Sequence, residues 1–414
     1  MQTERRNLVI LFFTLAVVMM GFGMIIPILP FYIESFGASG RSLGVLMALF
    51  ATMQFLCAPF WGQLSDRYGR KPILLIGVFG NALSQLFFGL STELWMLFAS
   101  RALAGLLSAA TLPTAMAFIS DSTSREERGG GMGMINAAMG VGVVIGPGIG
   151  GWLAARSLPL PFFAATGISM IAWLLILLFL PESLSREHRL QERGKLNGPQ
   201  LDLMWKALWG PAAFLFILSL IVSFGLTNFE AIVGLYSLER FGYGPDRVGT
   251  IMMVIGLVTA VVQVAAVGPL TRRWGEAPLI RASLLGSGVG FLLMLQARHF
   301  MGVLFTVALF IISNAMLRPG VTALISKQSV GGQGVIMGLV NSFMSLGRIV
   351  GPVWAGFVFD ANINYPYLSG AAIMLAAFFA SLVWLTREEP VAGPEGVARV
   401  DEAVAVTERI PPSR

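Results

Sequence analysis

The chain has a single cysteine, Cys57, so no intrachain disulfide can form. Its two histidines, His188 and His299, are far apart in the sequence and offer no cluster with metal-ligand spacing. Charge is scarce too: Asp, Glu, Lys and Arg make up 12% of the 414 residues, about half the ~25% of an ordinary soluble domain. There is no Gly-Lys-Ser/Thr phosphate loop, which argues against ATP hydrolysis within this chain. No Ser/His/Asp order and no pair of catalytic carboxylates falls in its apolar stretches, so an enzyme is not expected. Whatever work the protein does must draw on a gradient, with no cofactor beyond protons.

What the chain has instead is apolar length. Hydrophobic residues make up 56% of it, and the mean hydropathy is +0.76. Twelve runs are long enough to cross a ~30 Å hydrocarbon core at ~1.5 Å per residue. They fall at 7–32, 42–64, 72–91, 94–119, 132–154, 161–180, 211–237, 247–270, 278–297, 300–325, 333–357 and 366–386. The runs are apolar on all sides and carry internal Gly and Pro, which membrane helices tolerate and the alternating strands of a barrel would not show. The predicted fold is therefore an all-α membrane protein. No A-x-A-like cleavage site follows the first run, which reads as a retained signal anchor.

The basic residues set the expected orientation. Arg5, Arg6, Arg67, Arg70, Lys71, Arg125, Arg128, Arg186, Arg189, Arg193, Lys195 and Lys206 all lie on one side of the successive runs. The other side has fewer cations, among them Arg41, Arg156, Arg240, Arg247 and Arg298. Positive loops stay inside, so both termini are expected in the cytoplasm of a cell whose inner membrane holds the chain. The net charge of +6 is then a topology signal and requires no nucleic-acid partner.

The chain also repeats itself. GQLSDRYGRKP at 62–72 returns, degraded, as GPLTRRWGEAP at 268–278; TLPTAMAFIS at 111–120 returns as LRPGVTALIS at 317–326; GVVIGPGIGG at 142–151 returns as GRIVGPVWAG at 347–356. The spacing is about 206 residues each time, with six apolar runs on either side. Two related six-helix bundles are expected, 1–181 and 209–386, joined by a polar linker at 182–208 and followed by a disordered tail at 387–414. In such an arrangement the substrate site lies between the halves near the midplane, and one bundle rocks against the other.

Ionisable groups inside membrane runs cost about 2.5–3.5 kcal/mol each on insertion scales, so each is a functional candidate. Here they are Arg101, Glu230, Arg318 and Arg348, and Glu230 is the only carboxylate well inside a run. A carboxyl in a low-dielectric site favours its neutral form, and a nearby cation favours its charged one, so such a group can load and unload a proton as its surroundings change. Glu230 is the expected proton carrier; a structural ion pair to a buried arginine is the other reading, and the two are compatible. Arg318, beside Pro319, reads equally as a tie to the backbone carbonyls freed by the proline.

The string Gly62-Gln63-Leu64-Ser65-Asp66-Arg67-Tyr68-Gly69-Arg70-Lys71-Pro72 resembles the loop signature G-x-L-[AS]-D-R-x-G-R-[KR] of the major facilitator superfamily. Gly142, Gly146, Pro147, Gly150 and Gly151 match its antiporter motif, G-x-x-x-G-P-x-x-G-G, and also fit a plain small-residue packing motif. SRALAGLLSA around Arg101 is similar to its R-x-x-x-G motif. SFGLTNFEAIVGLYSLERFGY at 223–243, NAMLRPGVTALISK at 314–327 and INYPY at 363–367 extend the likeness, over most of the chain, to Gram-positive multidrug exporters of the NorA/Bmr type.

The resemblance implies a monomeric, proton-coupled exporter of small amphipathic compounds, with a specific metabolite or lipid-precursor carrier as the alternative and a non-transporting receptor or scaffold as a remoter one. It implies a conformational switch at Gly62, Asp66, Arg67, Gly69, Arg70, Lys71 and Asp121. Asp66 would brace the two halves against the start of the eleventh helix, and Arg70 would pair with Asp121. Arg101 would face the cavity and share proton coupling with Glu230. The implied cavity wall is Met19, Phe22, Ile26, Arg101, Met139, Val143, Glu230, Ile311, Asn314, Ala315 and Arg348. This chain departs from the pattern at Ala315, where an aspartate is frequent, and at Arg348, where a neutral polar residue is usual. The resulting excess of cations leaves the substrate's charge open.

Overall fold

The computed structural model describes residues 2–122, 128–184, 198, 201–210, 212–328 and 333–385; the tail and most of the central linker lie outside these. The described residues form helices and no strands. Twelve helices are long and apolar enough to span a bilayer: α1 Asn7–Ile25, α2 Gly40–Tyr68, α3 Arg70–Gly89, α4 Leu94–Ser122, α5 Gly129–Ala154, α6 Leu160–Phe179, α7 Ala213–Phe241, α8 Pro245–Ala265, α9 Glu276–Met294, α10 Phe300–Lys327, α11 Gly334–Ala361 and α12 Tyr365–Trp384. They make two six-helix bundles, α1–α6 and α7–α12.

The repeat seen in the sequence returns in the backbone. The four glycines with positive φ fall into two related pairs, Gly37 with Gly242 (64° and 65°) and Gly69 with Gly275 (105° and 79°). Gly69 and Gly275 make the sharp corners between α2 and α3 and between the short helix Val267–Trp274 and α9, where a side chain would strain the backbone. The helical pattern of α4 breaks after Ser108 and that of α10 after Asn314, each a few residues before a proline, Pro113 and Pro319. A proline ring clashes with the carbonyl four residues back, here that of Ala109 or Ala315, so both interruptions have the same cause.

Among the described residues the bundles meet at one end only. One hydrophobic cluster runs through both, joining Ile28, Ile33, Leu43 and Leu46 to Phe229, Ile232 and Tyr236. A second, confined to the first bundle, holds Leu11, Leu15, Leu74, Phe118, Ile119 and Ile176 toward the opposite end. Along α2, Gly40, Leu43, Gly44, Leu46 and Ala48 are buried, but no residue from Leu49 to Leu64 is. The protein is sealed at the end where α2 begins and parted at the end that carries Asp66 and Arg70.

Glycine makes the seal. Lipid tails are as apolar as leucine, so membrane helices associate through close backbone packing rather than through hydrophobic gain. A Cβ on Gly249 of α8 would lie 2.6 Å from the Pro147 carbonyl of α5, and one on Gly256 would lie 3.0 Å from the Val143 carbonyl. In the second seam Gly40 and Gly44 of α2 lie against Gly356 and Pro352 of α11. The carboxylate of Asp360, at the last turn of α11, accepts hydrogen bonds from the Gly40 and Arg41 amides at 2.8 and 3.2 Å. Its charge thus sits on the positive end of α2, across the interface between bundles. Arg41 adds an ion pair at 3.3 Å, but its side chain is more than half exposed and contributes little.

Asp360→Asn should weaken the seal by ~1 kcal/mol, roughly a fivefold shift toward opening at this end. Spin labels at Ser35→Cys and Asn362→Cys in a Cys57→Ser background would register the shift as a longer-distance population. A distance distribution unchanged by Asp360→Asn would mean that the carboxylate adds nothing to the closure.

Candidate functional site

The surfaces of the gap between the bundles follow from helix spacing. On α11, Pro352 and Gly356 touch α2, and Arg348 lies one turn from Pro352 on the same face, toward the parted end. On α7, Gly234 lies against the ring of Pro30, and Glu230 is one turn from it in the same direction. Arg348 and Glu230 therefore sit just inside the seal, where the bundles begin to separate. Arg348 is exposed and Glu230 partly so, although protein rings both: they open onto the gap.

Neither is neutralised. The Glu230 carboxyl has no hydrogen-bond or ion-pair partner among the described residues. Arg348 donates from Nη2 to Ser345 Oγ at 2.8 Å, a neutral acceptor on its own helix. Arg318 is also exposed, and it is near enough to Arg348 for their like charges to oppose each other.

Arg101 is placed otherwise than expected. Only 2% of it is exposed; it lies inside the first bundle, with the rings of Phe50 and Phe88 at 5.5 and 5.7 Å and no acceptor for its Nε. Gly105, one turn along α4, packs on the α2 backbone at Phe50, so this face of α4 is turned into the bundle and away from the gap. Cation–π contacts worth about 0.5–2 kcal/mol each are what the structure offers the buried charge. Ile311, Asn314 and Ala315 are likewise buried, with Asn314 turned toward Gly225 of α7 inside the second bundle. Ile26 and Phe22 are partly buried on α1 and its end, and Phe22 stacks on Phe50 at 5.3 Å.

The antiporter-like motif serves two neighbours at once. Cβ atoms on Gly142, Gly146 and Gly150 would each lie 2.6 Å from a carbonyl of α1, those of Ala16, Met20 and Met24. Gly148, Gly151 and the Pro147 carbonyl face α8 in the other bundle. Met19 packs on Gly142, Met139 is partly buried on the same helix, and Val143 meets α8 at Gly256 while remaining 41% exposed. The degraded copy repeats the design: Gly347 and Gly351 lie against α7 near Phe224, and Pro352 and Gly356 against α2.

At the parted end, the loop signature forms a charge cluster within one bundle. Arg70 pairs through Nε with Asp121 at 2.9 Å, donates to Ser65 Oγ at 2.7 Å, and is ion-paired to Asp66. The expected brace from Asp66 to the start of α11 gives way to another contact: with the bundles parted here, its partner is Arg70, and residues 329–332 before α11 lie outside the described set. Lys71 Nζ reaches the Leu177 carbonyl at 2.9 Å. Gly62 has no close neighbour, and Gly69 forms the corner. Sequence reasoning missed Glu182, which accepts from the Arg70 and Lys71 amides at 2.8 and 3.3 Å and so caps α3. It missed Asp360 as well. A Pro-Glu-Ser string closing the sixth run was the available signal for Glu182, whereas nothing local marks Asp360 as facing another helix.

The sequence model of the Major Facilitator Superfamily matches residues 11–266 and 215–407. Multidrug resistance protein 2 of Bacillus subtilis (strain 168) is 33% identical over 392 residues, which is 94% of this chain and 98% of that protein. Quinolone resistance protein NorA of Staphylococcus aureus (strain COL) is 29% identical over 380 residues, 91% and 96% of the respective lengths. A bacterial homolog of the human lysosomal transporter Spinster, solved in an inward-facing and occupied conformation, has the same fold, with a TM-score of 0.74 at 14% identity over 94% of this chain and 98% of that one.

The charge cluster at the parted end has a measurable counterpart in the second bundle. Glu276 and Lys327 lie 206 residues beyond Arg70 and Asp121 and pair at 2.5 Å, with the signs exchanged. Arg70 is nearly enclosed, whereas Lys327 is 66% exposed. Asp121→Ala should therefore lower thermal stability in detergent by ~3 kcal/mol, because a buried guanidinium loses a partner. Lys327→Ala should cost less, about 1 kcal/mol, because the lysine removed is exposed, although the Glu276 left behind is only 12% exposed. Equal losses at the two sites would refute this reading of their burial.

Proposed function

The chain belongs to the Major Facilitator Superfamily, and on that premise we propose that it exports small amphipathic, drug-like compounds by alternating access, with Glu230 carrying the proton that drives each cycle. It is a multi-pass membrane transporter and not an enzyme. The Bacillus and Staphylococcus relatives are named for multidrug and quinolone resistance, which supports an efflux role for this chain in a bacterial plasma membrane.

Orientation follows from charge. Arg67, Arg70 and Lys71 lie at the parted end, and basic loops stay in the cytoplasm, so this conformation opens inward. A compound entering from the cytoplasm or the inner leaflet meets the gap below the glycine seams. To discharge it, the seams must open and the far ends of the bundles must close. Asp66 is then released from Arg70 to meet the start of α11.

The observation that carries the coupling is the position of Glu230: an unpartnered carboxyl one turn inside the contact between α7 and Pro30. When the seal is shut, the group is reached from the cytoplasmic side; when the seal opens, it is reached from outside. A carboxylate that changes sides in this way picks up a proton where protons are abundant and delivers it where they are scarce. The enclosed Arg101 acts on this cycle through Phe50 of α2, which lies between it and Phe22 of α1, rather than by touching the compound.

A second reading, a carrier for one metabolite or lipid precursor, is favoured by Arg348, since a fixed cation narrows the range of acceptable ligands.

Proteoliposomes loaded with norfloxacin and given an imposed pH gradient provide the test. Glu230→Gln should abolish gradient-driven movement while leaving gradient-independent exchange of norfloxacin across the membrane. Transport that still follows the pH gradient in this variant would remove Glu230 from the carrier role.

A further inference from the structure

We propose that Arg348, backed by Arg318, makes the gap a site for amphiphiles that carry an oxyanion, a carboxylate foremost, and closes it to lipophilic cations. The proposal rests on the transport reading above, with Glu230 moving the proton and Arg348 choosing the passenger.

The first ground is the local charge. Two guanidiniums and one carboxylate open onto the same space, and the guanidiniums have only Ser345 Oγ between them as a side-chain acceptor. No acidic side chain pairs with Arg348 or Arg318 among the described residues. The neighbouring stretch of α10 supplies Asn314 and Ala315, which are uncharged and turned inward. Arg101 adds a third positive charge deeper in the first bundle without a carboxylate to balance it.

The second ground is geometry. Arg348 extends the face of α11 that forms the seam, so it leaves the helix on the side of the gap, exposed and with one guanidinium nitrogen on Ser345 of its own helix. A guanidinium offers a planar fork of donors that matches a carboxylate in two parallel hydrogen bonds. Only one position of that fork is used by Ser345. Between two low-dielectric walls an unpaired cation repels a second cation more strongly than water would allow, and it attracts an anion by the same factor. The walls offered by Phe22, Ile26 and Met139 are apolar, which suits the body of an amphiphile.

Three fluorescent probes of one shape separate charge from size: 2-naphthylacetate, 2-naphthylacetamide and 2-(2-naphthyl)ethylamine. Binding to the full-length protein in nanodiscs should be at least tenfold tighter for the acetate than for the amide, and weaker for the amine than for the amide. Arg348→Gln should erase the acetate's advantage and raise the amine to the level of the amide, while Arg348→Lys keeps part of that advantage. Arg318→Gln should shift the order in the same direction by less, a check that does not depend on the folding of the Arg348 variants. An amine that binds as tightly as the acetate, an acetate that does not bind, or an acetate affinity indifferent to Arg348→Gln overturns the proposal. Glu230→Gln separates the two readings: if it ends gradient-driven transport but leaves the probe order intact, both stand. Acetate preference without any gradient-driven transport by the unaltered protein sinks the transport reading alone, and gradient-driven transport without that preference sinks this one alone.

Discussion

Hydrocarbon gives one helix no hydrophobic reason to prefer another helix over lipid, so the contact between the bundles must come from backbone approach. That constraint explains where the glycines are. Gly40, Gly44, Gly148, Gly151, Gly249, Gly256 and Gly356 all lie on the two seams, and they let α2 meet α11 and α5 meet α8 without intervening side chains. Such a contact is close but not deep. Around it Ile28, Ile33, Leu43 and Leu46 share one hydrophobic cluster with Phe229, Ile232 and Tyr236, so opening the seal also parts those side chains.

Charge adds direction to that contact. The helices α2 and α11 run antiparallel, and each carries an aspartate near its own end: Asp66 on α2, Asp360 on α11. In this conformation Asp360 sits on the start of α2 while Asp66 is held within its own bundle by Arg70. A rocking motion that brought Asp66 to the start of α11 would draw Asp360 away from α2. A matching attraction of Asp66 for the start of α11 would bring the energies of the two conformations close, so that a small input such as a proton or a bound compound could decide between them. The related seam between α5 and α8 has Ala155 at the position matching Asp360, so the device is asymmetric and belongs to one side of the molecule.

Twelve spans, the repeat and the charged loops were legible because each is a local or periodic property of the chain: apolar length, matching strings, cations at turns. The family resemblance also reached the pairing of Arg70 with Asp121, two residues at helix ends. The lining of the gap was less legible. Arg101, Ile311, Asn314 and Ala315 read as cavity residues through the family resemblance, yet the rotation of α4 and α10 turns them into their own bundles. That rotation is set by packing against Phe50, Phe88 and Gly225, which no single segment encodes. Glu230 and Arg348 each lie one turn from a residue that touches the opposite bundle.

The charge count in the gap also bears on how a passenger and a proton could be exchanged. A cavity that changes sides within a low-dielectric barrier crosses most easily when its net charge is small. With Arg318 and Arg348 positive and Glu230 ionised, the empty gap carries one excess positive charge; a bound oxyanion cancels it. Protonating Glu230 in that loaded state restores the excess. On this count the loaded leg is neutral with Glu230 unprotonated, whereas the empty return leg with Glu230 protonated carries two positive charges and is the slower of the two. A lipophilic cation would have the opposite effect, since it adds to the excess and leaves the ionised Glu230 as the only group able to offset it. On the proposed account the arginines that select the passenger also set the net charge of each leg of the cycle, and with it which leg is slow.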